Sequence, residues 1–381
     1  MLDVSRALMI CSQELQLFDL NDTATVRFLE TLVVVSNSYG SIHKYLALVI
    51  CVVGCLANFV HLGVLTRPLM ARNAVNKLLA FVALCDILTM ISYTVFTVRF
   101  GFAVDLTNPP MGYQLHWIVF LLIHVVCSIA LHTITLYTSV ATAYVRYKVL
   151  KKVSSKWNRG NSAGPIFLVI SVCVCALCIP TFLVHDIVRV GTGPSGESLY
   201  TVGLSELSTG KTCFIFKANL WLTGIVFKVI PCIMLFTFTI ALLCELDINR
   251  RRRRRLTSGI SLASKRIEKK TDRTTLMLVV LMTVFIVTEF PQGVLAILNG
   301  LFPNDIHQFV YLSLGEILDL LSLINCNVCF IVYPLMSSVY RHTLKSFFYK
   351  AQRIILKKAP IKSLLLESTI VRFVDETDVL L

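Results

Sequence analysis

Residues 287–293 read VTEFPQG and put a carboxylate, Glu289, inside an apolar run, with TLMLVVLMTVFI before it and VLAIL after it. A charged side chain at the middle of a bilayer costs about 2.5–3.5 kcal/mol on insertion scales, so such a group faces the protein interior and takes a partner. Pro291, two positions on, interrupts the helical hydrogen-bond ladder and gives the segment a place to bend. A carboxylate beside a bend suits a switch, because a ligand that favours one arrangement of its partners shifts the population of states. Two plainer readings stand beside this one: a protonated carboxyl bonded to backbone, and a purely structural cluster. A second group of acids, Glu316 and Asp319, is spaced three residues apart and so shares one helix face. Intramembrane acids of this kind hold either a cationic ligand group or a structural partner, here Arg99. No metal-ligand spacing and no nucleophile–base motif accompanies these groups. The chain is therefore not expected to be an enzyme or to carry a resident metal or organic cofactor.

The elements that must hold these side chains are membrane helices. The 381 residues are 56% hydrophobic and 15% charged, with a mean hydropathy of +0.74. Soluble domains average about 45–50% apolar and about 25% charged residues. Seven stretches reach the roughly 20 mostly apolar residues that a spanning helix needs: 45–65, 77–99, 117–143, 165–185, 219–245, 275–299 and 309–335. None alternates in polarity as a barrel strand would. No internal repeat is visible, which disfavours an inverted-repeat transporter. The expected fold is an all-α membrane protein, a seven-transmembrane helix bundle. It divides into an N-terminal tail over 1–44, the membrane domain over 45–338, and an amphipathic helix with a tail over 339–381. In that last part RHTLKSFFYKAQRIILKK sets Leu344, Phe347, Phe348, Ala351 and Ile355 at helical spacing with basic residues opposite, the pattern of a helix lying on a membrane surface. The Gly/Ser-rich segment 186–216 alternates enough to predict a β-hairpin. The apolar patch ALMIC follows Asp3 and is too brief for a signal-peptide core, so the first helix is expected to direct membrane insertion.

Most of the 36 Lys and Arg residues fall in segments that a seven-span chain puts on one side: 66–77, 146–159, 246–274 with its run NRRRRRRL, and the C-terminal part. The positive-inside rule makes that side cytoplasmic and the N-terminus extracellular. Asn21, in the sequon NDT, is then a glycosylation acceptor on the outer side. The net charge of +14 is read as fixing topology and meeting anionic membrane lipids. Nucleic acid is not expected as a partner, since the arginine run has no interleaved aromatics on which bases would stack. Of 13 cysteines, only Cys11 and Cys213 fall in outer segments, where disulfides form.

In order along the chain, GCLANFV and LAFVALCD place Asn58 and Asp86 in the first two spans, and AYVRYKVL ends the third with Arg146. VIPC supplies Pro231, EFPQG Pro291 and CFIVY Tyr333 in spans five to seven. This series resembles the signatures of rhodopsin-class G-protein-coupled receptors. HTITLYTSVATAYVRY, FKVIPC, TEFPQG and GEILDLLSLIN resemble most closely the invertebrate FMRFamide- and myosuppressin-type peptide receptors, including the nematode serpentine class W group, over roughly residues 45–345. The resemblance implies that Lys228 and His132 reach the level of Glu289 and partner it. It implies a ligand pocket near Glu316 and Asp319, suited to the arginine of an Arg-Phe-amide terminus, with Gln292, Tyr93, Phe96 and Trp117 as neighbours. Arg146 and Tyr333 are the implied G-protein-coupling residues. Asp86, Thr135 and Asn325 resemble an internal sodium site, for which oxygen ligands are suited, although Cys329 removes one of its usual polar members.

Several positions depart from the class. Val145 replaces the acid beside Arg146, and Cys329 and Phe330 replace the Asn-Pro of the seventh span. Glu289 stands where a tryptophan is usual. Leu121 occupies the place of the third-span disulfide cysteine, which leaves Cys11 as the outer partner for Cys213. Cys127 is the rival, about 9 Å deeper at about 1.5 Å per residue. No lysine lies in 309–335, so a retinal Schiff base is excluded. The function implied is a receptor for an amidated neuropeptide, with a heterotrimeric G protein, arrestin and membrane lipids as partners. A chemoreceptor for an environmental small molecule and a seven-helix transporter or scramblase are the alternatives, because fold alone does not fix function.

Overall fold

The computed structural model describes residues 16–104, 110–151, 160–193, 196–209, 213–256 and 262–358. Among these, seven helices are long and apolar enough to cross a membrane. They are α1 (Thr23–Leu65), α2 (Ala74–Phe96, continued by a π segment Thr97–Phe102), α3 (Leu115–Lys151) and α4 (Ala163–Leu177, continued by Ile179–Val184). Next come α5 (Phe214–Trp221, a π segment Leu222–Val229, then Ile230–Leu256), α6 (Leu262–Leu301) and α7 (a π segment Ile306–Tyr311, then Leu312–Met336). Helices answer the sequence because only a structure that satisfies its own backbone survives in hydrocarbon. α1 packs on α2 and α7, α2 on α3, α3 on α4 and α5, and α6 on α5 and α7. The helices thus close into a ring around a common interior.

The start of α1 differs from expectation. Asp22 caps it, accepting the backbone N–H groups of Ala24 at 3.3 Å and Thr25 at 3.0 Å. The helix then runs 43 residues, about 64 Å at 1.5 Å per residue, roughly twice the ~30 Å of a hydrocarbon core. Much of the tail expected over 1–44 is therefore helix. Hydropathy picks out the bilayer-length part, and the extension, which mixes Phe28, Val34 and Val35 with Arg27, Glu30 and Lys44, falls below it.

Close approach between α1 and α7 depends on Gly54, where an added Cβ would collide with Asn327 Oδ1. Asn58 bridges the same pair, donating from Nδ2 to the carbonyls of Gly54 and Cys326, both at 3.0 Å.

The segment after α4 forms the expected hairpin, β1 (His185–Thr192) antiparallel to β2 (Ser198–Leu204). His185 pairs with Leu204 and Thr192 with Ser198, with an irregularity between Arg189 and Gly191. Tyr113, just before α3, exchanges both backbone hydrogen bonds with Tyr200, at 2.9 and 2.8 Å. The hairpin is thereby tied to the same end of the bundle as the start of α3. A separate unit begins at Ser337 and contains α8 (Ser338–Lys358). There Leu344 and Phe347 are half-buried, and Phe348 and Tyr349 are exposed. The side chains of Ala351 and Ile355 lie outside the described residues.

Candidate functional site

Glu289 is fully buried on α6 and takes hydrogen bonds from three other helices. Lys228 Nζ on α5 donates to Oε2 at 2.6 Å. His132 Nε2 on α3 donates to Oε1 at 2.8 Å. Asn325 Nδ2 on α7 donates to Oε1 at 3.1 Å. One carboxylate therefore clasps four helices. Charge-assisted hydrogen bonds are about twice as strong as neutral ones, and burying a carboxylate is tolerable only when it is paired and bonded in this way. Lys228 lies within the π segment of α5. Such segments shift the register of the side chains that follow and recur at functional sites. Its Nζ also donates to Gln292 Oε1 at 3.0 Å. Gln292 Nε2 in turn reaches the Thr288 carbonyl at 3.2 Å and Ser322 Oγ at 3.3 Å.

Above this cluster lies a cavity of about 440 Å³, within the ~300–1,000 Å³ usual for ligand pockets. Lys228, His132 and Gln292 line it, while Glu289 does not. The donors that hold the buried carboxylate are thus the groups a ligand would touch. The wall is mostly apolar and aromatic, with Phe96, Phe216, Phe227 and Tyr311, and the hairpin contributes His185 and Leu204 near the rim.

Asp319 on α7 also lines the cavity, and it is exposed there. Tyr93 Oη on α2 donates to its Oδ2 at 3.1 Å. His43 Nε2 on α1 meets the same Tyr93 oxygen at 3.0 Å, and Tyr39 Oη meets His43 Nδ1 at 3.1 Å. Glu316 is placed elsewhere: its carboxylate lies against Gly40 of α1 and does not line the cavity. Three residues along a helix is a 60° rotation, enough to turn one acid inward and the other onto a neighbour. Trp117 is also off the cavity wall; with Tyr113 it stacks under the Arg99 guanidinium, at 5.0 and 5.2 Å from the two ring centroids. Arg99 makes no ion pair with either acid among the described residues. Tyr93 and Gln292 do line the cavity.

The three residues assigned to a sodium site take different partners. Asp86 is buried beside Cys326. Thr135 meets Cys85, and Asn325 is drawn to Glu289. At the far end of the bundle Val145 is buried, and Arg146 makes no ion pair among the described residues. Arg146 lies close enough to Tyr333 of α7 to interact electrostatically. α6 remains helical through Pro291. Cys213 is disulfide-bonded and begins α5 from a left-handed conformation; Cys11 lies outside the described residues. Asn21 is exposed, its Nδ2 3.2 Å from Asp19 Oδ1.

Two contributions went unread in the sequence. Asn325 as a Glu289 ligand is one, and nothing in LSLINCNV distinguishes it from a packing asparagine. The other is the rim. The backbone N–H groups of Leu17 and Phe18 both donate to Asp305 Oδ2, the latter at 3.0 Å, and Phe18 packs edge-on against Phe309. An aspartate before a helix would be read as its cap, but Asp305 makes no side-chain cap bond.

Comparison with known proteins agrees with this architecture. The family model for the serpentine type 7TM GPCR chemoreceptor Srw matches residues 45–351. "G-protein coupled receptor dmsr-1" of Caenorhabditis elegans is 30% identical over 373 residues, covering 85% of this chain and 71% of that protein. The match over residues 45–351 and the 30% identity show a multi-pass plasma-membrane receptor rather than an enzyme, and the chain belongs to the serpentine Srw family of G-protein-coupled receptors.

Proposed function

We propose that this receptor recognises an amidated neuropeptide of the Arg-Phe-amide kind and passes the signal to a heterotrimeric G protein. The observation that carries the reading is the pairing of Asp319 with the donors around Glu289 in one cavity. Asp319 offers a carboxylate to a cationic group. Lys228, His132 and Gln292 offer polar atoms to a terminal amide, and the aromatic wall takes an apolar ring. A ligand bridging the two regions contacts Glu289's partners directly, so it acts on the clasp that joins α3, α5, α6 and α7. Because a ligand shifts an equilibrium only by its differential affinity for the two states, the clasp is where that difference arises. Arg146 and Tyr333 form the G-protein-facing end, and arrestin and inner-leaflet lipid are further partners there. The N-terminus is extracellular, Asn21 carries glycan, and a Cys11–Cys213 bridge holds the tail at the cavity rim. Sodium at Asp86 is not part of the mechanism.

The test is nucleotide exchange on a heterotrimeric G protein by reconstituted receptor, across synthetic Arg-Phe-amide peptides and their free-acid forms. Exchange driven by amides and not by acids supports the reading. Exchange driven only by small environmental odorants would replace it with a chemoreceptor, and solute or lipid flux without exchange would replace it with a transporter.

A further inference from the structure

We infer that Tyr39, His43 and Tyr93 form a positioning relay that fixes the Asp319 carboxylate for a cationic ligand group, so that helix α1, which does not line the cavity, sets charge discrimination inside it. The inference rests on the peptide reading above. Tyr93 has one hydroxyl proton, and it goes to Asp319 Oδ2 at 3.1 Å. The Tyr93 oxygen can then only accept from His43 Nε2, 3.0 Å away. A neutral imidazole protonated at Nε2 has a bare Nδ1, which accepts from Tyr39 Oη at 3.1 Å. All three hydrogen bonds therefore run in one direction, from Tyr39 to the carboxylate. A chain of this kind polarises each member and strengthens the next.

The geometry locks one carboxylate oxygen. Asp319 Oδ1 takes no hydrogen bond among the described residues, while the side chain is exposed to the cavity. His43 and Tyr93 are both buried and pack edge to face with ring centroids 6.4 Å apart, so the relay has little rotational freedom. Tyr93 is braced further by Phe96, at 5.5 Å between centroids. A carboxylate held by one oxygen is pre-organised to accept a guanidinium with the other, which lowers the ordering cost of binding. Tyr39 and His43 are positioning residues, since neither lines the cavity.

The test compares Phe-Met-Arg-Phe-amide with its citrulline analogue, which keeps the shape and loses the charge, on surface-normalised receptor. His43→Phe removes the relay's polar atoms and keeps a ring. It is expected to cut the preference for the arginine peptide about fivefold, the net worth of one neutral hydrogen bond, while leaving the citrulline peptide's potency unchanged. His43→Gln, which supplies an N–H and an oxygen, is expected to restore most of the preference. On an Asp319→Asn background His43→Phe is expected to have no further effect. Equal losses for both peptides, or a His43→Phe loss that persists on Asp319→Asn, would overturn the relay. Loss of discrimination in Asp319→Asn but not in His43→Phe would overturn the relay and leave the peptide reading standing. No change in Asp319→Asn would overturn both.

Discussion

Replacing Lys228 with Met leaves Glu289, which has no exposed surface, without its closest partner. At 2.6 Å the direct attraction is about 6 kcal/mol with an effective dielectric constant near 20, before desolvation is subtracted. Breaking a buried pair from one side typically costs about 3–5 kcal/mol. The lower end is expected here, because His132 and Asn325 continue to donate to Oε1. Glu289→Gln is expected to cost about 3 kcal/mol as well, since Lys228 keeps Gln292 at 3.0 Å and reaches the cavity. The double variant has no orphaned charge. If the pair interacts, its loss is about 3–4 kcal/mol rather than the ~6 of the sum, a coupling of about 2–3 kcal/mol. The assay is a double-mutant cycle on the unfolding free energy of purified receptor in mixed micelles. Basal and stimulated G-protein activation are read beside it, per receptor at the cell surface. Losses additive within about 0.5 kcal/mol would refute the clasp. Coupling in stability with none in activation would make it a structural brace and remove it from the switch.

Three further outcomes are expected. With Val145 in place of an acid, Arg146 lacks a neighbouring restraint, so Val145→Asp should lower basal signalling at matched expression; unchanged basal activity would show that the missing acid is irrelevant or replaced elsewhere. Non-reducing peptide mapping should recover Cys213 joined to Cys11, and a free Cys11 would contradict the proposed bridge. Gly54→Ala should force α1 from α7 and cost about 1–3 kcal/mol, because the new Cβ would collide with Asn327 Oδ1; an unshifted thermal midpoint would mean that Asn327 swings aside freely.

How far the sequence discloses this arrangement depends on how strongly physics constrains each residue. Glu289 in an apolar run needs a partner, and Lys228 and His132 are the ionisable groups that the resemblance sets at its level. Asn325 carried no such compulsion: a neutral amide in a membrane helix satisfies itself in many directions, and its likeness to a sodium ligand pointed away from the clasp. Glu316 and Asp319 share a face at the resolution of helical periodicity, yet a 60° difference decides which meets the cavity. That choice is made by the close approach of Gly40 on α1, a long-range contact invisible to spacing. The extension of α1 to Thr23 was within reach, since Asp22 before a helix-forming run is an N-cap signature. The π segment that carries Lys228 has no sequence signal of its own.

In the proposed function a ligand's charge is read at Asp319 and delivered to the donors of Glu289. It is tested most directly by the rate of guanine-nucleotide exchange on a reconstituted heterotrimer, driven by Phe-Met-Arg-Phe-amide or its citrulline analogue, in wild-type and Asp319→Asn receptor. The substitution should weaken the arginine peptide about 10- to 100-fold, as expected for a charged hydrogen bond, and leave the citrulline peptide nearly unchanged. Equal weakening of both peptides would contradict it.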